Sequence, residues 1–267
     1  MNNIKDLMSL RGCRALITGA NGNLGRVISN ALGEIGADLL LVDVNVSDLD
    51  FFASELEKKW GIRAEIYRSN LEEESERIKL IEILSNSGKS LEVLVNNAAF
   101  VGSSEIKGWS APFENQSLNA WRRALELNLT CIFHLCQGLM PILEKSGRGS
   151  IINIASIYGH LGPNWSLYEG TAMGNPAGYS ASKGAVIQFS RWLATTVAPR
   201  VRVNSISPGG IERNQPKVFM DRYISRTPMR RMASESDFIG AIAFLSTNLS
   251  SYITGHDLVV DGGFSSW

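Results

Sequence analysis

The chain has three cysteines, Cys13, Cys131 and Cys136, with no C-x-x-C among them; an odd count argues against a disulfide framework. Its three histidines, His134, His160 and His256, show no metal-ligand spacing, so no metal is expected. Charge of one sign is lacking too. Lys and Arg total 26 and Asp and Glu total 26, with no clustered basic excess for nucleic acid. No apolar run is long enough to cross a membrane, and the opening MNNIKDLMSLRGCRA lacks the apolar stretch of a signal peptide. No proline- or serine-rich linker divides the chain. The expectation is one domain over residues 1–267, cytoplasmic, with neither nucleic acid nor membrane as partner.

What is present is alternation. Short apolar, β-branched runs stand at 14–18 (RALIT), 38–43, 63–67, 91–96, 150–156, 201–207 and 257–262. Helix-like windows lie near 24–36, 47–60, 72–87, 117–145, 179–198 and 235–247. Strands that read as nearly continuous apolar runs fit a parallel sheet covered on both faces. Repeated strand–helix alternation predicts right-handed βαβ units. The fold expected is α/β, a Rossmann-type doubly wound parallel sheet of about seven strands with helices on both faces. The acidic EEESE at 72–76 suits a helix N-terminus, and SESD at 234–237 reads as a capping box.

TGANGNLG, residues 18–25, joins the first of these strands to the helix-like window that follows it. Its glycines, Gly19, Gly22 and Gly25, are spaced three apart, with Asn21, Asn23 and Leu24 among them. In a doubly wound sheet ligands sit beyond the carboxyl ends of the strands, and a helix N-terminus can hold a pyrophosphate. Asn-Gly is also a common turn dipeptide, so the stretch alone leaves a ligand-free turn open. Asp43 ends the second strand, 18 residues after Gly25. A carboxylate there can accept hydrogen bonds from an adenosine ribose and would repel a 2′-phosphate, favouring NAD(H) over NADP(H). A plain strand-end turn is the alternative at Asp43.

YSASK places Tyr179 and Lys183 four residues apart, on one helix face. A free phenol, with a pKa near ~10, is a poor base at neutral pH. A lysine ammonium and a cationic nicotinamide beside it would favour the phenolate, which can then exchange a proton with an alcohol as hydride moves.

The chain carries, in order, the glycine loop at 19–25, Asp43, NNAA (96–99), Asn128 in LNLT, Ser156, YSASK, SPGG (207–210) and YITGHDLVVDGG (252–263). In this set it resembles the short-chain dehydrogenases/reductases in their compact single-domain form. The resemblance implies Tyr179 as general acid/base, with Lys183 binding the nicotinamide ribose and tuning the phenol. It implies Ser156 as the group orienting the substrate oxygen and Asn128 as support for a water-linked proton relay. For the cofactor, it implies Asn97, Ala98 and Ala99 passing close by and Asn70 and Leu71 near adenine. Pro208, Gly209 and Ile211 would flank the nicotinamide, and Asn21 and Leu24 would contribute phosphate or backbone contacts. It further implies a homodimer or homotetramer, with helices 117–145 and 179–198 as interface; their apolar faces fit an internal core equally.

The sequence departs from that pattern in three places. Asn23 stands where the compact members carry their middle glycine, and Gly22 falls one place early, as in the larger sugar-nucleotide branch. Ser156 and Tyr179 are 23 residues apart, so YGHLGPNWSLYEGTAMGNP must loop out beside the site. Its Trp165 and Tyr168 could stack on a sugar face or pack against the body. Segment 212–231 holds Arg213, Lys217, Arg222, Arg226, Arg230 and Arg231 against Glu212 and Asp221, where the family has a mobile lid. Arg213 and Arg222 are candidates for a substrate phosphate or carboxylate, with a solvated helix face as the alternative.

The function expected is an NAD(H)-dependent oxidoreductase interconverting a secondary alcohol and a ketone. SIYGHLGPNWSLYEGTAMGNPAGYSASKG and PGGIERNQP resemble a subgroup from bacterial surface-carbohydrate pathways, including flagellin modification and nonulosonic acid synthesis. The substrate expected is therefore a sugar, a nucleotide-activated sugar or a nonulosonic-acid-type compound. The alternatives are a 3-oxoacyl-carrier-protein-type ketoreductase using NADP(H), and a catalytically silent dinucleotide-binding regulator.

Overall fold

A computed structural model describes residues 3–101 and 106–267. Its elements run α1 (Ile4–Met8), β1 (Arg14–Thr18), α2 (Asn23–Glu34), β2 (Asp38–Asp43), α3 (Leu49–Trp60), β3 (Ala64–Arg68) and α4 (Glu74–Asn86). They continue β4 (Val93–Asn96), α5 (Leu118–Leu125), α6 (Cys131–Lys145), β5 (Gly149–Ile154), α7 (Ala177–Val197), β6 (Val201–Pro208), α8 (Lys217–Arg226), α9 (Ile239–Ser246) and β7 (Asp257–Val260). The seven strands form one sheet in the order β3-β2-β1-β4-β5-β6-β7, every pairing parallel. This is the doubly wound architecture that the alternation predicts. Among the described residues, no helix is long and apolar enough to cross a membrane.

The period of two along a strand sorts side chains into two layers. Leu16, Leu40 and Leu94 face α4, α6 and α7, packing with Leu80, Leu135 and Val186. Ala15, Ile17, Leu39 and Leu41 face the other way, onto Ile28 and Leu32 of α2, Leu56 of α3 and Leu245 of α9. Each such leucine, fully buried, contributes about 1.5–3 kcal/mol. The strand order reverses beside β1, which pairs with both β2 and β4. A crevice opens there at the carboxyl ends, where a doubly wound sheet places ligands.

Two helical features differ from the sequence expectation. The window at 117–145 is not one helix: a π turn at Glu126–Thr130 separates α5 from α6. Its centre, Asn128, is fully buried with its amide turned inward onto other segments, and such inserted bonding goes with a locally wider turn. Segment 212–231 contains α8, which buries Phe219 and Tyr223. Only two of its ten residues are buried, and its charges mask that stripe in the sequence. The capping box at Ser234 forms as expected, with Asp237 reciprocating.

Candidate active site

The first and third glycines of the loop are required by geometry. Gly19 has φ +64°, and a Cβ there would lie 2.9 Å from the Ala98 Cα. A Cβ on Gly25 would fall 2.0 Å from the Gly19 carbonyl oxygen. Gly22 is different: it precedes α2 as its N-cap, and a Cβ there would meet only ordinary contact. Its bareness leaves the first turn of α2 without a side-chain cap, N–H groups facing the crevice. Asn23 therefore opens the helix and lies exposed at the same mouth.

Side chains then fix this loop to its neighbours. The Asn97 and Ala98 N–H groups both donate to the Thr18 hydroxyl at 3.0 Å, and the Asn97 amide donates to the Thr18 and Gly19 carbonyls. Asn21 donates through its amide to the Asn45 and Ser47 carbonyls, and its oxygen accepts from Arg26 at 2.6 Å. Asp43 accepts from the Asn21 N–H through one oxygen and from the Asn45 N–H through the other, both at 2.9 Å. The Asn21 side chain thus ties the glycine loop to the loop after β2, and the Asp43 carboxylate is held at the crevice wall.

The crevice is one cleft of about 620 Å³. Every residue expected to bind the cofactor lines it: Gly19, Asn21, Gly22, Asn23, Leu24 and Gly25, then Asp43, Asn70, Leu71, Asn97, Ala98 and Ala99, then Tyr179, Lys183, Pro208, Gly209 and Ile211. The Asn70 side chain is partly engaged in its own turn, accepting from the Glu72 N–H at 3.2 Å. Ser69 and Leu127 also line the cleft and went unread in the sequence, because an isolated serine or leucine carries no spacing signal. Ser69 Oγ is buried without a hydrogen-bond partner among the described residues.

At the other end stand Ser156, Tyr179 and Lys183. Ser156 lies two residues past the end of β5 and accepts from the Tyr158 N–H. Lys183 is 2% exposed and donates to the Ile154 carbonyl at 2.7 Å. Its ammonium lies 5.8 Å from the Tyr179 ring centroid. Burial pushes the Lys183 ammonium down to about 8. Burial also raises the Tyr179 phenol above its ordinary value, while the Ser156 hydroxyl, by hydrogen bonding, and Arg213 oppose that rise. Within the chain itself desolvation outweighs the stabilising groups; the lowering expected beside a cationic nicotinamide belongs to the cofactor-bound site. Asn128 lies behind the cleft wall. Its oxygen accepts from the Phe100 N–H at 2.6 Å, and its amide donates to the Phe100 carbonyl and the Ser182 hydroxyl. That side chain braces α7 and the loop after β4.

Of the four substrate candidates, only Arg213 lines the cleft, where Glu235 pairs with it at 2.9 Å. Tyr168 is buried, hydroxyl to hydroxyl with Tyr158 at 2.6 Å and packed on Phe219. Trp165 is exposed and tilts onto Tyr168. Arg222 donates to the Glu169 carbonyl at 2.5 Å. Lys217 pairs with Asp221, Arg231 with Asp237, and Arg230 donates to the Ser225 carbonyl. These groups are taken up by contacts within the chain, and Arg222 is the one that ties α8 to the insertion.

An uncapped helix N-terminus, an orphan hydroxyl at Ser69 and a fixed carboxylate at Asp43 together fit a dinucleotide along the cleft. Residues 19–265 match the family described as enoyl-(acyl carrier protein) reductase. The chain is 32% identical to sorbose reductase sou1 of Schizosaccharomyces pombe, over 97% of this chain and 98% of that protein. It is 30% identical to the 3-oxoacyl-acyl-carrier-protein reductase FabG of Aquifex aeolicus, over 96% and 98%. Among solved structures it is similar to a gluconate 5-dehydrogenase from Burkholderia cenocepacia in complex with NADP and tartrate. That match has a TM-score of 0.86 and 26% identity, over 99% of this chain and 100% of the other. It is also similar to an NAD+-bound xylitol dehydrogenase, with TM-score 0.83 and 29% identity over 95% and 99%.

Proposed function

Because the chain belongs to the short-chain dehydrogenase/reductase family, an oxidoreductase family acting on alcohol and ketone groups, we propose that it interconverts a secondary alcohol and a ketone on a carbohydrate with NAD(H). The observation that carries this reading is the continuity of the cleft. One crevice runs from the Asp43 carboxylate, past the bare start of α2, to the Tyr179 phenol and Lys183 ammonium. When bound along this cleft, a nicotinamide would supply the hydride chemistry at the carbonyl carbon.

The chain's own residues handle the proton and the geometry. Tyr179 gives its phenol proton to the ketone oxygen in reduction, and its phenolate takes the hydroxyl proton in oxidation. The raised phenol of the chain alone suits the donor role. Ser156 orients the substrate oxygen against Tyr179. Lys183, anchored on the Ile154 carbonyl, places its remaining N–H donors toward a ribose and lends positive charge to the phenolate as it forms. The Asn128 carbonyl leads protons out from Lys183 through water. Asp43 accepts from the adenosine ribose hydroxyls, and its negative charge disfavours a 2′-phosphate.

A sugar, sugar acid or polyol is supported by the sorbose, gluconate and xylitol enzymes among the relatives. The nucleotide-activated and nonulosonic-acid substrates expected from the sequence belong to the same carbohydrate class. A ketoreductase of carrier-protein thioesters is the second reading, favoured by the matching family's description and the FabG relative. Self-association is supported by Phe133 and Trp192, exposed on α6 and α7 on either side of Phe189. The test is nicotinamide absorbance with NAD(H) and NADP(H) against ketoses, polyols, sugar acids, nucleotide sugars and an acyl thioester. Turnover of a carbohydrate with NAD(H) is expected. Turnover only of the thioester with NADPH would overturn both cofactor and substrate.

A further inference from the structure

Arg77 is a costly residue to place where it stands. It sits in the first turn of α4, where a cation opposes the helix dipole, and it is 2% exposed. All three of its guanidinium nitrogens are committed. Nη1 donates to the Leu71 carbonyl at 2.7 Å and the Glu72 carbonyl at 3.3 Å. Nη2 pairs with Glu126 at 2.7 Å, and Nε donates to His134 Nδ1 at 3.2 Å. Leu71 is part of the cleft wall beside Asn70, and Glu126 is the first residue of the π turn that holds Leu127 and Asn128. A second tie runs alongside: Arg123 at the end of α5 grips both oxygens of Glu72 at 2.6 and 3.0 Å.

We propose that Arg77 is a positioning residue that joins the adenine wall at Asn70–Glu72 to the π turn, so that filling the adenine end of the cleft orders the turn carrying Asn128. A forked guanidinium is needed, since the three nitrogens serve the loop, α6 and the turn at once. The π turn in turn reaches α7 through the Asn128–Ser182 hydrogen bond, three residues from Tyr179 and one from Lys183. The inference rests on the reading of the cleft as a dinucleotide site.

The test uses AMP, which fills only the adenine end, and nicotinamide mononucleotide, which fills only the other. Calorimetry and backbone hydrogen exchange are measured on the wild type, Arg77→Lys and Arg123→Gln. In the wild type AMP should slow exchange both at 71–73 and at the π-turn amides of 127–130. Arg77→Lys should weaken AMP by about fivefold or more, leave nicotinamide mononucleotide within about twofold, and lose the AMP-induced protection at 127–130. Arg123→Gln removes the outer tie and should show the same loss at smaller amplitude, a readout that stands if Arg77→Lys does not fold. Unchanged AMP affinity with protection of 127–130 retained in either folded variant overturns the inference. A wild type that binds none of AMP, NAD and NADP overturns the cleft reading beneath it.

Discussion

The glycine loop lines the cleft and the insertion at 158–176 does not, and the two are held in opposite ways. The loop is fastened from outside. Asn97 donates to the Thr18 and Gly19 carbonyls, and Asp43 accepts from the Asn21 N–H. The Thr18 hydroxyl and the Asn21 amide bond out to the neighbouring loops, and the first and third glycines sit where a Cβ would strike main chain. The insertion is fastened to α8. Tyr168, Phe219, Tyr223 and Met232 form a small core apart from the two layers on the sheet, and Arg222 reaches across to the Glu169 carbonyl. A side chain that spends itself on its own segment has little left for a ligand. The proposed catalytic and cofactor functions therefore belong to the sheet end, and the insertion packs outside the cleft on α8.

Lys183→Met should sharpen this contrast most, lowering turnover by about 10²-fold or more through loss of the charge that supports the phenolate. The same pair reports on stability. Burial pushes the Lys183 ammonium down from the ordinary 10.5 to about 8 in the fold, so between those values the unfolded chain binds more protons. Stability contributed through this group therefore rises with pH across that window, by up to about 3 kcal/mol. Denaturant titrations should show the wild type gaining on Lys183→Met from pH 8 to 10. A gap independent of pH would contradict the buried ammonium.

Gly25→Ala should come next, with about 2 kcal/mol lost in denaturant and a matching loss of NAD affinity, because the Gly19 carbonyl must move. Asp43→Ser should shift the ratio of kcat/KM for NAD and NADP toward NADP by about tenfold, as the repelling charge goes. An unchanged ratio would remove Asp43 from cofactor selection. The smallest effects belong to the insertion. Trp165→Ala and Arg222→Ala should each leave substrate KM within about twofold, with stability changes near 0.5 kcal/mol. A tenfold rise in KM for either would make the insertion part of the binding site and break the contrast.

The same contrast explains what was legible in the sequence. β2 reads clearly because burial on both faces fills its interior, Leu39–Val42, with apolar side chains. Tyr179 and Lys183 read clearly because helical spacing makes them neighbours. In segment 212–231 the arginines read as candidates for a substrate anion, because α8 buries only Phe219 and Tyr223 and the partners that occupy Arg213 and Arg222, Glu235 and the Glu169 carbonyl, are 22 and 53 positions away. Arg77 was invisible for a related reason. Its partners Glu126 and His134 are 49 and 57 positions away, and only the packing of α4 on α6 brings them together. The π turn at Asn128 was missed because the periodicity of α5 runs almost unbroken into α6.

The central claim is that Tyr179 moves the proton in a cleft that other residues build for the dinucleotide. Tyr179→Phe tests it directly, with NADH affinity measured by fluorescence and single-turnover hydride transfer measured on the same sample. The account predicts NADH affinity within about twofold of the wild type and hydride transfer slower by about 10²–10⁴-fold. Hydride transfer within a few-fold of the wild-type rate would contradict it and move the proton to another group.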